Sequence, residues 1–154
     1  MLPKILLFCG FLLCLLAIGC GSDDCIGSDR TVRQLIEEDT LNLQKLPDDG
    51  EFDRGFRYVI GNPGGAERPT LTDSVTYTFI ARTIEGDTVD QTTGEPQTRV
   101  LNGLITGWQL GLPLIGRGGS ITLYVPSALA YASNPVANLC PSTDLVFEVD
   151  LIDF

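Results

Sequence analysis

Leu104-Ile105-Thr106-Gly107-Trp108-Gln109-Leu110-Gly111-Leu112 is the stretch that decides how the chain folds. Ile105, Trp108, Leu112 and Ile115 fall at i, i+3, i+7 and i+10, which is one face of a helix. Pro113 and the glycines at 116, 118 and 119 stop it after about two turns. The segments on either side follow a period of two instead. In residues 74–82, Val75, Tyr77, Phe79 and Ala81 share one face, and Thr76, Thr78, Ile80 and Arg82 share the other. Residues 120–125 put Ile121, Leu123 and Val125 together, and Leu145, Phe147, Val149 and Leu151 do the same near the C-terminus. Residues 56–60 read as a further strand, ended by Gly61-Asn62-Pro63-Gly64-Gly65. Half-buried antiparallel strands alternate in this way because successive side chains point to opposite faces. One short helix among several such strands is an α+β architecture, with the helix covering one face of the sheet.

Upstream, Val32, Leu35, Ile36, Leu43 and Leu46 are compatible with one or two short helical turns, and Pro47-Asp48-Asp49-Gly50 breaks any helix there. Residues 31–54 therefore read as a partly helical extension, and residues 55–154 as the single domain that a chain of 154 residues suits. No internal repeat or low-complexity tract interrupts it.

The counts exclude much chemistry. The chain has no histidine, so Ser-His-Asp and Cys-His sites and His-ligated zinc are out, and neither a metal nor a cofactor is expected. Twenty acidic against ten basic residues give a net charge of −10, which repels phosphate backbones and argues against nucleic acid as a partner. Hydrophobic residues at 44% are ordinary for a globular protein.

Residues 1–19 carry one charge, Lys4, followed by an unbroken apolar run over residues 5–18. The run is short for a spanning helix, which needs roughly 20 residues, and has the layout of a secretory leader. Leu16-Ala17-Ile18-Gly19-Cys20 resembles a bacterial lipobox, with Ala17 where leucine is commoner. An ordinary leader with a chance cysteine is the alternative. Residues 20–30 follow as a polar, acidic tether, so the mature protein is expected to hold a membrane through a lipidated Cys20, in the periplasm or at the cell surface. Of five cysteines, Cys9 and Cys14 leave with the leader and Cys20 takes lipid, which leaves Cys25 and Cys140. In an oxidising compartment that pair is expected to form a disulfide; two separate buried thiols are the alternative.

Two motifs read better as plain structure. Gly116-Arg117-Gly118-Gly119 precedes a strand and lacks the Lys-Ser/Thr ending of a phosphate loop. Glu85, Asp87, Asp90 and Glu95 miss the spacing of a calcium loop and suit a solvated hairpin. A deficit says more. Residues 96–143 contain no acidic side chain, and this block holds Leu104, Ile105, Trp108, Tyr131 and Leu139, where either an apolar cleft or plain core fits.

From residue 71 to residue 154 the chain resembles an FKBP-type peptidyl-prolyl isomerase domain. Val75-Thr76-Tyr77-Thr78 is similar to the family's V-x-Y-T strand, and Glu85-Gly86-Asp87-Thr88-Val89-Asp90 to D-G-x-x-F-D. The stretch 104–112 is similar to V-I-x-G-W-x-x-G-L, residues 125–131 to I-P-x-x-L-A-Y, and residues 145–151 to L-V-F-x-V-x-L. The resemblance implies an antiparallel sheet curved around one short helix. It also implies a proline pocket made by Tyr77, Val89, Asp90, Leu104, Ile105, Trp108, Tyr131, Leu139 and Phe147. Trp108 would be its floor, while Tyr131 and the Ile105 amide would each hold a substrate carbonyl. The implied partners are proline-containing polypeptides.

The departures are specific. The pocket phenylalanine is Val89, the usual Thr-Gly after the tyrosine is Thr78-Phe79, and a second pocket aromatic is replaced near Gln97. The arginine that pairs with the aspartate has no clear counterpart, with Arg99 or Arg82 within sequence reach. The flap over residues 132–140 is short and lacks glycine. These departures keep two rivals in view: a catalytically weak peptide-binding or chaperone lipoprotein, and a structural component of a surface assembly. The sequence leaves the oligomeric state open.

Overall fold

A computed structural model of the chain describes residues 25–38, 43–45, 55–134 and 139–154. The leader, Cys20 and the helix breaker at 47–50 lie outside these residues. Six strands, β1 (Arg57–Asn62), β2 (Ser74–Thr83), β3 (Thr88–Gln91), β4 (Gln97–Val100), β5 (Gly119–Val125) and β6 (Leu145–Asp153), form one antiparallel sheet. Its order is β1-β5-β6-β2-β3, and β4 also pairs with β2. Because β6 occupies one edge of β2 from Thr76 to Thr83, β4 and β3 share the other edge, with Tyr77 opposite Gln97 and Ala81 opposite Asp90.

The alternating strands bury the faces their sequences specify. Ile121, Leu123 and Val125 of β5 and Leu145, Phe147, Val149 and Leu151 of β6 are all buried. Helix α2 (Thr106–Gly111), extended by a 3-10 turn at Leu112–Leu114, packs onto them through Trp108, Leu112 and Ile115. Glycine lets it come close. A Cβ on Gly107 would lie 2.5 Å from Val125 Cγ1, and one on Gly111 would lie 2.5 Å from Leu123 Cδ2. Each helical glycine costs up to ~1 kcal/mol against alanine, which here is offset by a helix backbone lying directly on β5. Trp108, between the two, is fixed in depth by that contact.

The extension is fastened to the domain. Helix α1 (Val32–Glu38) buries Val32 and Leu35. Just before it, Cys25 is bonded to Cys140, with Cα atoms 5.1 Å apart, and Ile26 bridges to Leu139 while the Cys140 amide donates to the Ile26 carbonyl at 2.8 Å. Buried Asp144 accepts the Val32 amide at 2.9 Å and the Ser127 amide at 2.7 Å. Gln44 and Tyr58 exchange backbone hydrogen bonds further along.

The glycine-rich stretch at 116–119 is a turn. Its Arg117 bonds Asp153, Glu67 and the Phe154 carbonyl and lies over the Phe154 ring, 4.5 Å from its centre. No helix among the described residues is long and apolar enough to cross a membrane.

Candidate functional site

A cleft of about 280 Å³ opens where β2, the β3–β4 edge, α2 and residue 131 meet. That is small for a ligand pocket, the size for one ring and its neighbours. Trp108 forms its base and is buried. Three rings stand nearly edge-on to the indole: Tyr77 at 4.7 Å and 73°, Phe79 at 5.5 Å and 81°, and Phe147 at 5.6 Å and 85°. Edge-to-face pairs of this kind contribute roughly 0.5–1.5 kcal/mol each beyond their burial. They also fix the plane of the indole. Its Nε1 is buried without a hydrogen-bond partner among the described residues, so the floor is held by packing alone.

Tyr77, Asp90, Leu104, Ile105, Trp108, Tyr131 and Phe147 all line this cleft. Two residues carried over by resemblance do not. Val89 is half-buried and packs against the core, and Leu139 is buried beside Ile26 in the fastening of the extension. Three further residues line it: Phe79 and Gly103, which the implied pocket did not include, and Gln97, where the resemblance puts the replacement of a pocket aromatic. The alternation of β2 already put Phe79 on the face of Tyr77, which was the available signal. Gln97 stands opposite Tyr77 on β4, so a polar amide occupies that wall.

Asp90 is exposed, and its Oδ1 accepts the Gln91 amide at 2.8 Å. Neither arginine within sequence reach makes an ion pair with it. Arg82 turns to Glu148 and Thr88, and an Arg99 Nη1 donates to the Thr98 carbonyl at 2.8 Å. Burial pushes the Tyr77 phenol above the ordinary value against the pull of the Arg99 charge, and burial reinforced by the Asp90 charge raises Tyr131 as well. Both phenols therefore stay neutral donors well above physiological pH.

A pH profile follows. With no histidine present and both phenols raised, any activity of the cleft should be flat from about pH 6 to pH 9. The raised phenols bind protons more tightly in the fold than in the unfolded chain. Their stabilising contribution is thus present below the ordinary phenol range and lost as pH rises through the folded values. Rates and denaturant midpoints measured from pH 6 to 11 check this, and a bell with its maximum near neutrality would contradict it.

The site offers an apolar floor, flanking donors and no nucleophile poised beside a base. Among the described residues no three His, Cys, Asp or Glu side chains converge as metal ligands would. Such a fold and site define a class: a curved antiparallel sheet and short helix that enclose an aromatic-floored cleft.

Residues 65–152 match the profile of the FKBP-type peptidyl-prolyl cis-trans isomerases. The chain belongs to that family. It is 38% identical over 101 residues to the FKBP-type peptidyl-prolyl cis-trans isomerase FkpA of Escherichia coli K12, an alignment covering 64% of this chain and 37% of FkpA. It is 35% identical over 101 residues to the peptidyl-prolyl cis-trans isomerase Mip of Coxiella burnetii, covering 64% and 44%. The crystal structure of Escherichia coli FkpA superposes with a TM-score of 0.69 at 31% identity, over 79% of this chain and 56% of that one. A peptidyl-prolyl cis-trans isomerase from Pseudomonas syringae superposes at 0.65 with 26% identity, over 82% and 97%. The chain thus spans about two fifths of the length of these curated relatives.

Proposed function

We propose that the protein is an exported, lipid-anchored peptidyl-prolyl cis-trans isomerase that speeds rotation of X-Pro bonds in folding extracytoplasmic polypeptides. The observation that carries this reading is the convergence of Tyr77, Ile105, Trp108, Tyr131 and Phe147 on one cleft of about 280 Å³. Rotation about a peptide bond meets a barrier of ~18–20 kcal/mol because twisting breaks amide resonance, and X-Pro bonds take tens of seconds or more unaided. No bond is cleaved. A low-dielectric cleft disfavours the charge-separated planar amide more than the twisted one, and fixed donors hold the displaced carbonyl. In this scheme the proline ring rests on Trp108, Tyr131 donates to one substrate carbonyl and the Ile105 amide to another. Asp90 and Tyr77 shape the wall beside them.

Residues 1–19 serve as the leader, Cys20 as the lipidated N-terminus, 20–30 as the tether and 31–54 as the extension ahead of the catalytic domain at 55–154. The acidic residues after Cys20 suit placement outside the cytoplasm. The fastening of Cys25 to Cys140 supports an oxidising compartment. Gln97 on the cleft wall favours one other reading, a peptide-binding module of low catalytic power. Exchange kinetics of a proline peptide with purified protein, followed by NMR or protease coupling, separate the two. Acceleration at micromolar protein supports the isomerase; binding without acceleration supports the module; absence of both refutes both.

A further inference from the structure

Tyr131 reaches the cleft from a segment that leaves β5 after Val125 and makes a 3-10 turn at Ser127–Leu129. Its phenol has no hydrogen-bond partner among the described residues, so no bond at its tip fixes where it points. Its place is set from the backbone. The Ser127 carbonyl accepts the Ala130 amide at 3.0 Å and the Ala132 amide at 2.8 Å, from the residues on either side of Tyr131. Ala132 holds φ at 50°, a left-handed conformation that a residue with a Cβ rarely adopts and that persists only where its surroundings fix it. The Ser142 amide, donating to the Ala132 carbonyl at 2.8 Å, supplies a second tie. Ser127 is therefore the point from which Tyr131 is aimed.

The Ser127 amide is itself held by one side chain. Asp144, the residue before β6, accepts that amide on Oδ1 at 2.7 Å and the Val32 amide on Oδ2 at 2.9 Å. It is 9% exposed and makes no ion pair among the described residues. A carboxylate is costly to bury without a cation, and hydrogen bonds from backbone amides are what offset the cost here. Asparagine in its place would present one oxygen to two donors. The Asp144 position uses both oxygens: one joins the aiming turn to β6, whose Phe147 also lines the cleft, and the other joins the first residue of α1 to the same carboxylate.

We infer that Asp144 is a positioning residue for Tyr131. By holding the Ser127 turn it sets where the phenol meets a substrate carbonyl, and by holding Val32 with its other oxygen it makes the seating of α1 part of that setting. This rests on the proposed isomerase reading, in which Tyr131 donates to the substrate. The extension ahead of the domain is then a support of the cleft as well as a connection to it.

The test is a double-mutant cycle in kcat/KM of the full protein on one proline peptide, crossing Asp144→Ala and Asp144→Asn with Tyr131→Phe, each rate normalised to the folded fraction. Asp144→Ala is expected to cost about tenfold with Tyr131 in place and within about twofold once the phenol is gone. Asp144→Asn keeps one acceptor and should fall between Asp144→Ala and the unchanged protein. Val32→Pro removes the other amide at the first position of a helix, which proline tolerates, and should cost about threefold, again only with Tyr131 present. Should Asp144→Ala fail to fold, Asp144→Asn and Val32→Pro carry the cycle. Equal losses with and without the phenol, or no loss in either background, overturn the assignment. A second readout needs no catalysis. With fluorotyrosine at the four tyrosines of the chain, the fluorine NMR signal that Tyr131→Phe removes should move or broaden in each Asp144 variant, while that of Tyr58 on β1 stays in place. An unmoved Tyr131 signal overturns the assignment as well. Should the unchanged protein isomerise no peptide, the isomerase reading fails, while this signal still decides whether Asp144 aims Tyr131.

Discussion

Trp108→Ala is expected to lower kcat/KM on a proline peptide by about a hundredfold and to destabilise the fold by ~3–5 kcal/mol. Both effects come from one position. The indole is the base of the cleft and the ring on which Tyr77, Phe79 and Phe147 all bear edge-on, so its removal opens a cavity under the substrate and frees three walls at once. Stability and catalysis must be read separately, because a partly unfolded sample would lose rate for a trivial reason. Denaturant unfolding gives the first, and rates normalised to the folded fraction give the second. Trp108→Phe supplies the control. It keeps a ring for the three walls and deletes an Nε1 donor that is buried without a partner among the described residues, a group whose desolvation costs roughly 1–3 kcal/mol. This variant should lose much less stability than Trp108→Ala and hold its rate within about tenfold. A Trp108→Ala protein that is folded and isomerises normally would remove the indole from the mechanism.

The sequence made the centre of the sheet legible and its margins obscure, for a physical reason. β2, β5 and β6 each have one buried and one wetter face, and that difference is written into every second residue, from Val75 to Ala81 and from Leu145 to Leu151. β3 and β4 are four residues each and mostly exposed, so Thr88–Gln91 and Gln97–Val100 carry no alternation to read. The cleft was legible where it coincides with the helical face, at Ile105 and Trp108. It was less so at Phe79, because alternation names a face of a strand without saying which part of that face is covered by the helix. Val89 and Leu139 show the converse. Position in a family motif does not say whether a side chain reaches the cleft or the core behind it. Of the attachment of the extension, the cysteine count pointed to Cys25 and Cys140, whereas the Asp144 contacts left no local signal, since that side chain gathers the Val32 and Ser127 amides from distant parts of the chain.

That attachment carries the other large expected effect. The Cys25–Cys140 bond closes 115 residues of sequence, and in the chain-entropy model its removal destabilises by up to about 4–5 kcal/mol. Cys25→Ser/Cys140→Ser should therefore move the urea midpoint down by roughly 2 M, given m values of about 1–3 kcal/mol/M. Isomerisation by the folded protein should change less, within about threefold. The 131–142 segment keeps its own ties: the Ser142 amide on the Ala132 carbonyl at 2.8 Å, Thr143 Oγ1 on the Cys140 carbonyl at 2.9 Å, and the buried Leu139 side chain. Asp144→Ala tests whether the extension acts as one unit. In the disulfide-bonded protein it strands two backbone donors, at ~1–3 kcal/mol each. Once the disulfide is gone, α1 is held at that end chiefly by Val32 and Leu35, and the Val32–Asp144 bond opens more readily. Removing both should then cost less than the two losses added together, a coupling that a double-mutant cycle measures directly. Strict additivity would show that the disulfide and Asp144 fasten the chain independently, and an unchanged midpoint in the double serine variant would show that the extension contributes nothing to holding the domain together.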